Sequence, residues 1–206
     1  MVAFSTARGT GSASCLPWRT WDRSGRAVTI RPLVANDAVE YLRHTARIVK
    51  ETPYMLQCEY DPLPPVEAQR RLIEQIARSA NSQSLIAFRP GATQNLRIVG
   101  SITLLGGRSQ RTRHVCSLGM GVDRAEWGQG IGGMLLDAAL HWGRSHAFVV
   151  RIGLQVFTDN ESAIHLYRSR GFVVEGTMER DVMLGDSYGT LEGMSLDVSA
   201  AGKTAT

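Results

Sequence analysis

The sequence predicts an α/β (α+β) domain: a mixed, mostly antiparallel central sheet flanked by helices. Three observations predict it. Two amphipathic helical patterns come before the first dense run of strands; the middle of the chain then switches from helical to two-residue periodicity; and a glycine-rich loop opens directly into a helix, after which strand, helix and two closing strands follow. With 206 residues, 43% of them hydrophobic and 20% charged, the chain can bury one full core.

The elements follow in order. A turn at Asp22-Arg23-Ser24-Gly25 leads into Val28-Thr29-Ile30-Arg31, which alternates like a strand and stops at Pro32. Asn36 or Asp37 can cap a helix that carries Val39, Leu42, Ala46 and Val49 on one face and ends before Pro53. The segment Asp61-Pro62-Leu63-Pro64-Pro65 is a connector, and Val66 opens a second helix through Ala80. Ser84 to Phe88 and Ile98 to Leu105 are β-rich runs joined by Arg89-Pro90-Gly91 and a polar loop, an antiparallel pattern. His114 to Val122 is a further strand, rich in glycine. A helix from Gly132 to Ser145 has Leu135, Leu136, Ala139, Leu140 and Trp142 on its apolar side. Val150 to Phe157 is the next strand, Asn160 or Ser162 starts a helix through Arg170, and Phe172 to Met178 and Tyr188 to Leu196 form the closing pair.

Composition narrows the class. Cys15, Cys58 and Cys116 are odd in number with no CxxC spacing, which indicates neither a disulfide framework nor a zinc site; no metal and a cytoplasmic setting are expected. Apolar stretches such as Met134 to Leu140 are far too short to span a bilayer, so no membrane partner is expected. The net charge of +4 and pI near 9.2 suit a polyanionic ligand, but the Lys and Arg residues are scattered, which argues against a nucleic-acid partner. Residues 1–26 read as a partly disordered N-terminal extension, 27–198 as the domain and 199–206 as a flexible tail. Met1 to Cys15 lacks the apolar core of a secretory signal. Oligomeric state is not fixed by these patterns, and a homodimer stays open.

Chemistry concentrates in the loop Trp127-Gly128-Gln129-Gly130-Ile131-Gly132-Gly133. Glycine allows positive φ and close approach of backbone to a ligand, and the free N–H groups of a helix start point outward with the positive end of the dipole: a pyrophosphate cradle. By itself such a loop also suits a dinucleotide-binding turn or a tight structural connection. A dinucleotide turn normally follows the first strand of a βαβ series, whereas this loop comes late, after several strands. No Gly-Lys-Ser/Thr follows, so a Walker A loop is excluded. A second block, Asn160-Glu161-Ser162-Ala163-Ile164-His165-Leu166-Tyr167 followed by Gly171-Phe172, stands downstream. With both blocks in this order, the sequence resembles the GNAT (Gcn5-related N-acetyltransferase) superfamily, whose phosphate loop ends in G-x-G and is followed by N-x-x-A-x-x-L-Y-x-x-x-G-F.

The resemblance covers roughly Val28 to Val198 and implies a GNAT fold with a splay between the two central strands. It implies an acyltransferase that moves an acetyl group from acetyl-CoA to a primary amine of an amino acid, another small amine or a protein N-terminus, by direct attack in a ternary complex. Trp127, Gly128, Gln129, Gly130, Ile131, Gly132 and Gly133 would hold the CoA pyrophosphate. Met120, Gly121 and Val122 would bind the pantetheine arm as if it were an added strand, with an amide near Met120 stabilising the oxyanion. Asn160, Ala163 and Tyr167 would complete the cofactor site. Tyr167 would also be the general acid, though alone it reads as a core tyrosine. Two departures stand out: Trp127 occupies a place where the loop usually carries Arg or Gln, and Ser117 stands where many relatives carry a basic glutamate. A serine can hold a water that relays the amine's proton. His114 has a suitable pKa range, but at the far end of the strand it reads first as a surface or turn histidine. Glu51, Tyr54 and Glu59 are the substrate-binding candidates, with Met55, Cys58 and Tyr60 on the same wall; these too can be ordinary contacts or solvated charges. The missing glutamate leaves a non-catalytic acetyl-CoA-binding regulatory protein as the alternative.

Overall fold

The computed structural model describes residues 17–90 and 96–199. Its elements are β1 (Trp18–Trp21), β2 (Ala27–Pro32), α1 (Ala38–Glu51), α2 (Val66–Arg78), β3 (Gln83–Pro90), β4 (Leu96–Gly106), β5 (Val115–Val122), α3 (Ile131–Ser145), β6 (Arg151–Phe157), α4 (Glu161–Arg168), β7 (Val173–Leu184) and β8 (Ser187–Asp197). Short 3-10 turns at Ala35–Asp37 and Arg124–Glu126 lead into α1 and the glycine loop.

All strands join one sheet in the order β1-β2-β3-β4-β5-β6-β8-β7. Every neighbouring pair is antiparallel except β5 and β6. That parallel pair is short, running from Val115 opposite Arg151 to Ser117 opposite Gly153. Beyond it β5 stays paired with β4 as far as Val122 and β6 stays paired with β8 as far as Phe157, so the two central strands part in the middle of the sheet. The mixed sheet, its mostly antiparallel pairing and the flanking helices are the architecture expected from sequence.

Alternation along the strands buries both faces. In β3, Leu85 and Ala87 join the cluster built around Leu135, Leu136, Ala139 and Leu140 of α3, while Ile86 and its neighbour Phe88 face Ala38 of α1 and Ile73 of α2. Full burial of each such Leu or Ile is worth roughly 1.5–3 kcal/mol. α4 lies beside α3 and adds Ile164 and Tyr167 to the first cluster.

Three local differences from the sequence reading have physical causes. First, the sheet starts before Ala27, because β1 pairs with β2 from Trp18 opposite Ile30 to Trp21 opposite Ala27. Trp21 is 70% exposed and Thr20 half-buried, so the apolar residues of β1 do not mark its inward positions. Second, the buried residues of α1 are Ala38, Leu42, His44 and Ile48; Val39, expected on the apolar face, is exposed. The buried stripe is rotated because His44, polar in sequence, is satisfied inside. Asp37 stands at the start of α1, but its carboxylate accepts from Val34 N–H and Arg31 and not from a helix amide. Third, β7 and β8 are longer than expected and meet at Gly185, whose φ is +61°. Glu179, Arg180 and Asp181 are exposed and carry a register shift between Met178 and Val182, which erases the two-residue period. The expectations for Met1 to Cys15, for residues 91–95 of the β3–β4 loop and for residues 200–206 lie outside the described residues.

Candidate active site

Hydrogen bonds at its two ends fix which way the β5 main chain points. His114 O accepts from Val150 N and Arg151 N on the β6 side, whereas Val115 O accepts from Gly107 N and Asp123 N donates to Val99 O on the β4 side. Since main-chain groups alternate along a strand, the even-numbered residues Leu118, Met120 and Val122 present theirs to the space that opens where β6 leaves. Gly121 presents its own to β4, opposite Ser101. A Cβ on Gly121 would lie 2.5 Å from Ile48 Cδ1, so this glycine serves the approach of α1 to the sheet.

The glycine loop stands at the mouth of that space. Gly128 and Gly130 have φ of +74° and +86°, left-handed conformations that glycine adopts without strain. Gly130 is the N-cap of α3 and its carbonyl accepts from Met134 N. Among the described residues, the amides of Gly128, Gly130, Ile131, Gly132 and Gly133 donate to no protein acceptor. A Cβ on Gly132 would stand 3.4 Å from Leu166, 3.7 Å from Met120 and 3.8 Å from Val122. The start of α3, the open end of β5 and α4 thus converge at a spot kept free of side chain, which fits backbone donation to a diphosphate. Trp127 folds back over this end of β5: its indole Nε1 donates to Val122 O at 2.8 Å, and the Arg124 guanidinium lies 5.9 Å from its ring.

On α4, Asn160 is the N-cap, its Oδ1 accepting from Ala163 N at 3.2 Å. Tyr167 is buried against Phe172, with ring centroids 5.6 Å apart. Burial pushes its phenol up to about 12. Its hydroxyl has no hydrogen-bond partner among the described residues, yet the fully enclosed polar atoms without partners are Arg70 Nε and Glu192 Oε2. The Tyr167 oxygen therefore touches solvent.

The connector between α1 and α2 reaches the same end of the sheet. Tyr54 packs at a tilt against Phe157, the last residue of β6, and donates to Asp159 O at 3.4 Å. Glu51 is committed to structure, accepting from Arg124 N at 2.7 Å, while Glu59, Cys58 and Tyr60 are exposed and Met55 is half-buried. Ser117 is exposed at the last residue pair before the strands part, and His114 is exposed one residue before β5 begins. Cys116, between them in sequence, is no candidate base: burial raises its thiol to about 11 and its Sγ donates to Asn81 O.

Sequence reasoning missed two charged assemblies around the site. His44 Nδ1 meets Asp123 Oδ1 at 2.7 Å with both side chains fully buried, and Arg47 and Arg97 donate to Asp123 Oδ2. Asp123 directly follows β5, so this group pins the strand end to α1. Burial alone would raise its carboxyl, but His44, Arg47 and Arg97 hold it below the usual range. The second joins the β1–β2 hairpin to the loop: Arg89 of β3 bonds both Asp22 and Glu126, and Arg26 bonds the same two carboxylates. Beside it Arg23 N donates to Gln129 O at 3.1 Å, and Arg23 Nη1 donates to Gly128 O at 3.3 Å. Local periodicity carries no signal for partners 105 positions apart.

A model for the Acetyltransferase (GNAT) family matches residues 50–172. A curated relative, the L-amino acid N-acetyltransferase AaaT of Escherichia coli (strain K12), is 31% identical over 111 residues, covering 52% of this chain and 68% of the relative. Among solved structures, a GNAT-family acetyltransferase from Streptococcus pneumoniae superposes with a TM-score of 0.78 at 27% identity, over 82% of this chain and 99% of that one. A GNAT superfamily phosphinothricin acetyltransferase from Sinorhizobium meliloti, solved with acetyl-CoA, gives 0.72 at 17% identity over 86% and 92%, a likeness of fold.

Proposed function

The chain belongs to the acetyltransferase (GNAT) family and is an acyltransferase, and we propose that it moves the acetyl group of acetyl-CoA directly onto the primary amine of an L-amino acid. The observation that carries this reading is the opening between β5 and β6, into which Met120 and Val122 present main-chain groups beside the unpartnered amides of the glycine loop. The relative named for L-amino acids supports that acceptor class over polyamines and protein N-termini.

In this reading the diphosphate lies on the amides of Gly128, Gly130, Ile131, Gly132 and Gly133. The pantetheine arm pairs with Met120 and with the N–H of Val122, whose carbonyl Trp127 occupies. The amine nitrogen bonds to the acetyl carbon while a β5 amide holds the developing oxyanion. The carbon–sulfur bond then breaks. The amine's proton leaves through water at Ser117, and the departing sulfur takes a proton from Tyr167. Tyr54 forms part of the acceptor wall, and Asn160 and Ala163 hold the start of α4 in line with the arm.

The test is release of free CoA thiol when protein and acetyl-CoA meet a panel of L-amino acids, polyamines and short peptides, with products identified by mass spectrometry. Acetylated amino acid is the expected product. Turnover confined to polyamines or peptide N-termini would replace the acceptor assignment. The second reading, a CoA-binding protein without catalysis, draws on the exposed Ser117 where β5 offers no carboxylate; CoA binding with no turnover on any amine would select it.

A further inference from the structure

The β1–β2 hairpin contributes a cation to the glycine loop from outside the matched family segment. Arg23 sits at the hairpin tip and lies along the loop rather than away from it. Its main-chain N–H bonds Gln129 O, its Nη1 bonds Gly128 O, and its Cγ and Nε both stand 3.7 Å from where a Cβ on Gly130 would be. The hairpin cannot swing freely. The buried Asp22 carboxylate accepts from Ser24, Arg26 and Arg89, and Arg89 and Arg26 continue to the buried Glu126 one turn before the loop.

In that network the two arginines that hold the hairpin are matched by two carboxylates, whereas Arg23 has no carboxylate partner among the described residues. One of its five N–H donors serves Gly128 O, and the planar fork keeps the others for an oxyanion. Its neighbours are the unpartnered amides of Gly128 to Gly133 and the positive end of the fifteen-residue α3. The two nearby carboxylates, Asp22 and Glu126, are matched by Arg26 and Arg89, so the free donors of Arg23 and of the loop amides stand together. The side chain that opens the loop adds no donor, since the Trp127 indole N–H is spent on Val122 O.

We propose that Arg23 is a ligand of the CoA diphosphate, a cation delivered to the cradle by the N-terminal hairpin. The proposal rests on the acetyl-CoA reading above. It assigns to residues 17–32 a part in cofactor recognition that membership of the family does not.

Calorimetric titration of CoA into the full chain tests it. Wild type binds CoA. Arg23→Ala weakens binding roughly 10- to 100-fold, as expected for a charge-assisted bond to phosphate, without lowering the melting temperature of the unliganded protein. Arg23→Gln, which keeps a donor for Gly128 O but no charge, loses a similar factor, and its affinity falls less steeply with salt. Arg19→Ala, the same charge change on exposed β1, binds as wild type. Normal CoA affinity in Arg23→Ala overturns the proposal. So does normal affinity in Arg23→Gln beside a weakened Arg23→Ala, because the arginine then merely clamps the loop. Wild-type protein that binds no CoA overturns the acetyl-CoA reading itself, and the Arg23 assignment with it.

Discussion

Under the proposed mechanism, Tyr167 would serve the core and the chemistry together. Its ring packs on Phe172 while its oxygen meets solvent, and burial keeps the phenol protonated far above neutrality. If it is the proton donor to sulfur, it would contribute on the order of 100-fold or more. Tyr167→Phe is therefore expected to lower kcat by about that factor, with the KM for acetyl-CoA and the melting temperature little changed; unchanged kcat would leave Tyr167 a packing residue only. The pH profile is a separate check. A phenol raised to about 12 stays neutral throughout the range in which the fold is handled. No loss of kcat from its ionisation is expected up to about pH 10, and an alkaline limb near pH 8–9 that vanishes in Tyr167→Phe would contradict the shift. At Gly132 a different restriction applies. Valine there would press on Leu166, Met120 and Val122, so Gly132→Val is expected to weaken CoA binding in titrations by more than it lowers the melting temperature.

At the level of elements, the open end of β5 is held by buried charge. His44 from α1, Arg97 from β4 and Arg47 from α1 all converge on Asp123, and Ser101 Oγ lies 3.3 Å from His44 Nε2. His44 and Asp123 are the fully buried members, so removing the carboxylate charge leaves His44 without its ionic partner in a dry site. Asp123→Asn is thus expected to cost about 3 kcal/mol in urea unfolding, a loss that should be much smaller if the pair merely decorates the surface. The sign of the pH effect follows from the direction of the shift. The folded carboxyl titrates below its unfolded value, so its contribution is fully present above about pH 4 to 5 and disappears as pH falls through the folded value. Asp22 behaves alike: burial opposes ionisation, but Ser24, Arg26 and Arg89 bring its carboxyl well below the ordinary range. Urea midpoints measured from pH 7 downward should hold until about pH 4 and then fall, more gently in Asp123→Asn.

For the whole molecule, a ligand that binds only the folded state must stabilise it. Acetyl-CoA at about 100 times its dissociation constant adds roughly 2.7 kcal/mol, which for a domain of this size is a rise of about 5–10 °C in Tm, with no rise expected from NAD. An equal response to both would reopen the dinucleotide reading of the glycine loop. Much of this molecule was legible in its sequence because the relevant signals are local. The period of α3, the glycines ahead of it and the Asn160-to-Tyr167 block each lie within a dozen or so positions, and together they point to the fold class and to where a cofactor would sit. What the sequence could not reveal depends on partners far apart in the chain. The burial of His44, the commitment of Glu51 to Arg124 N and the seat of Arg23 on Gly128 each join segments that no short window contains. Periodicity records which face of an element is apolar, and so determined the layers. Only the assembled sheet and its helices, by bringing charges into contact away from water, decided which polar side chains are structural and which remain free to meet a ligand.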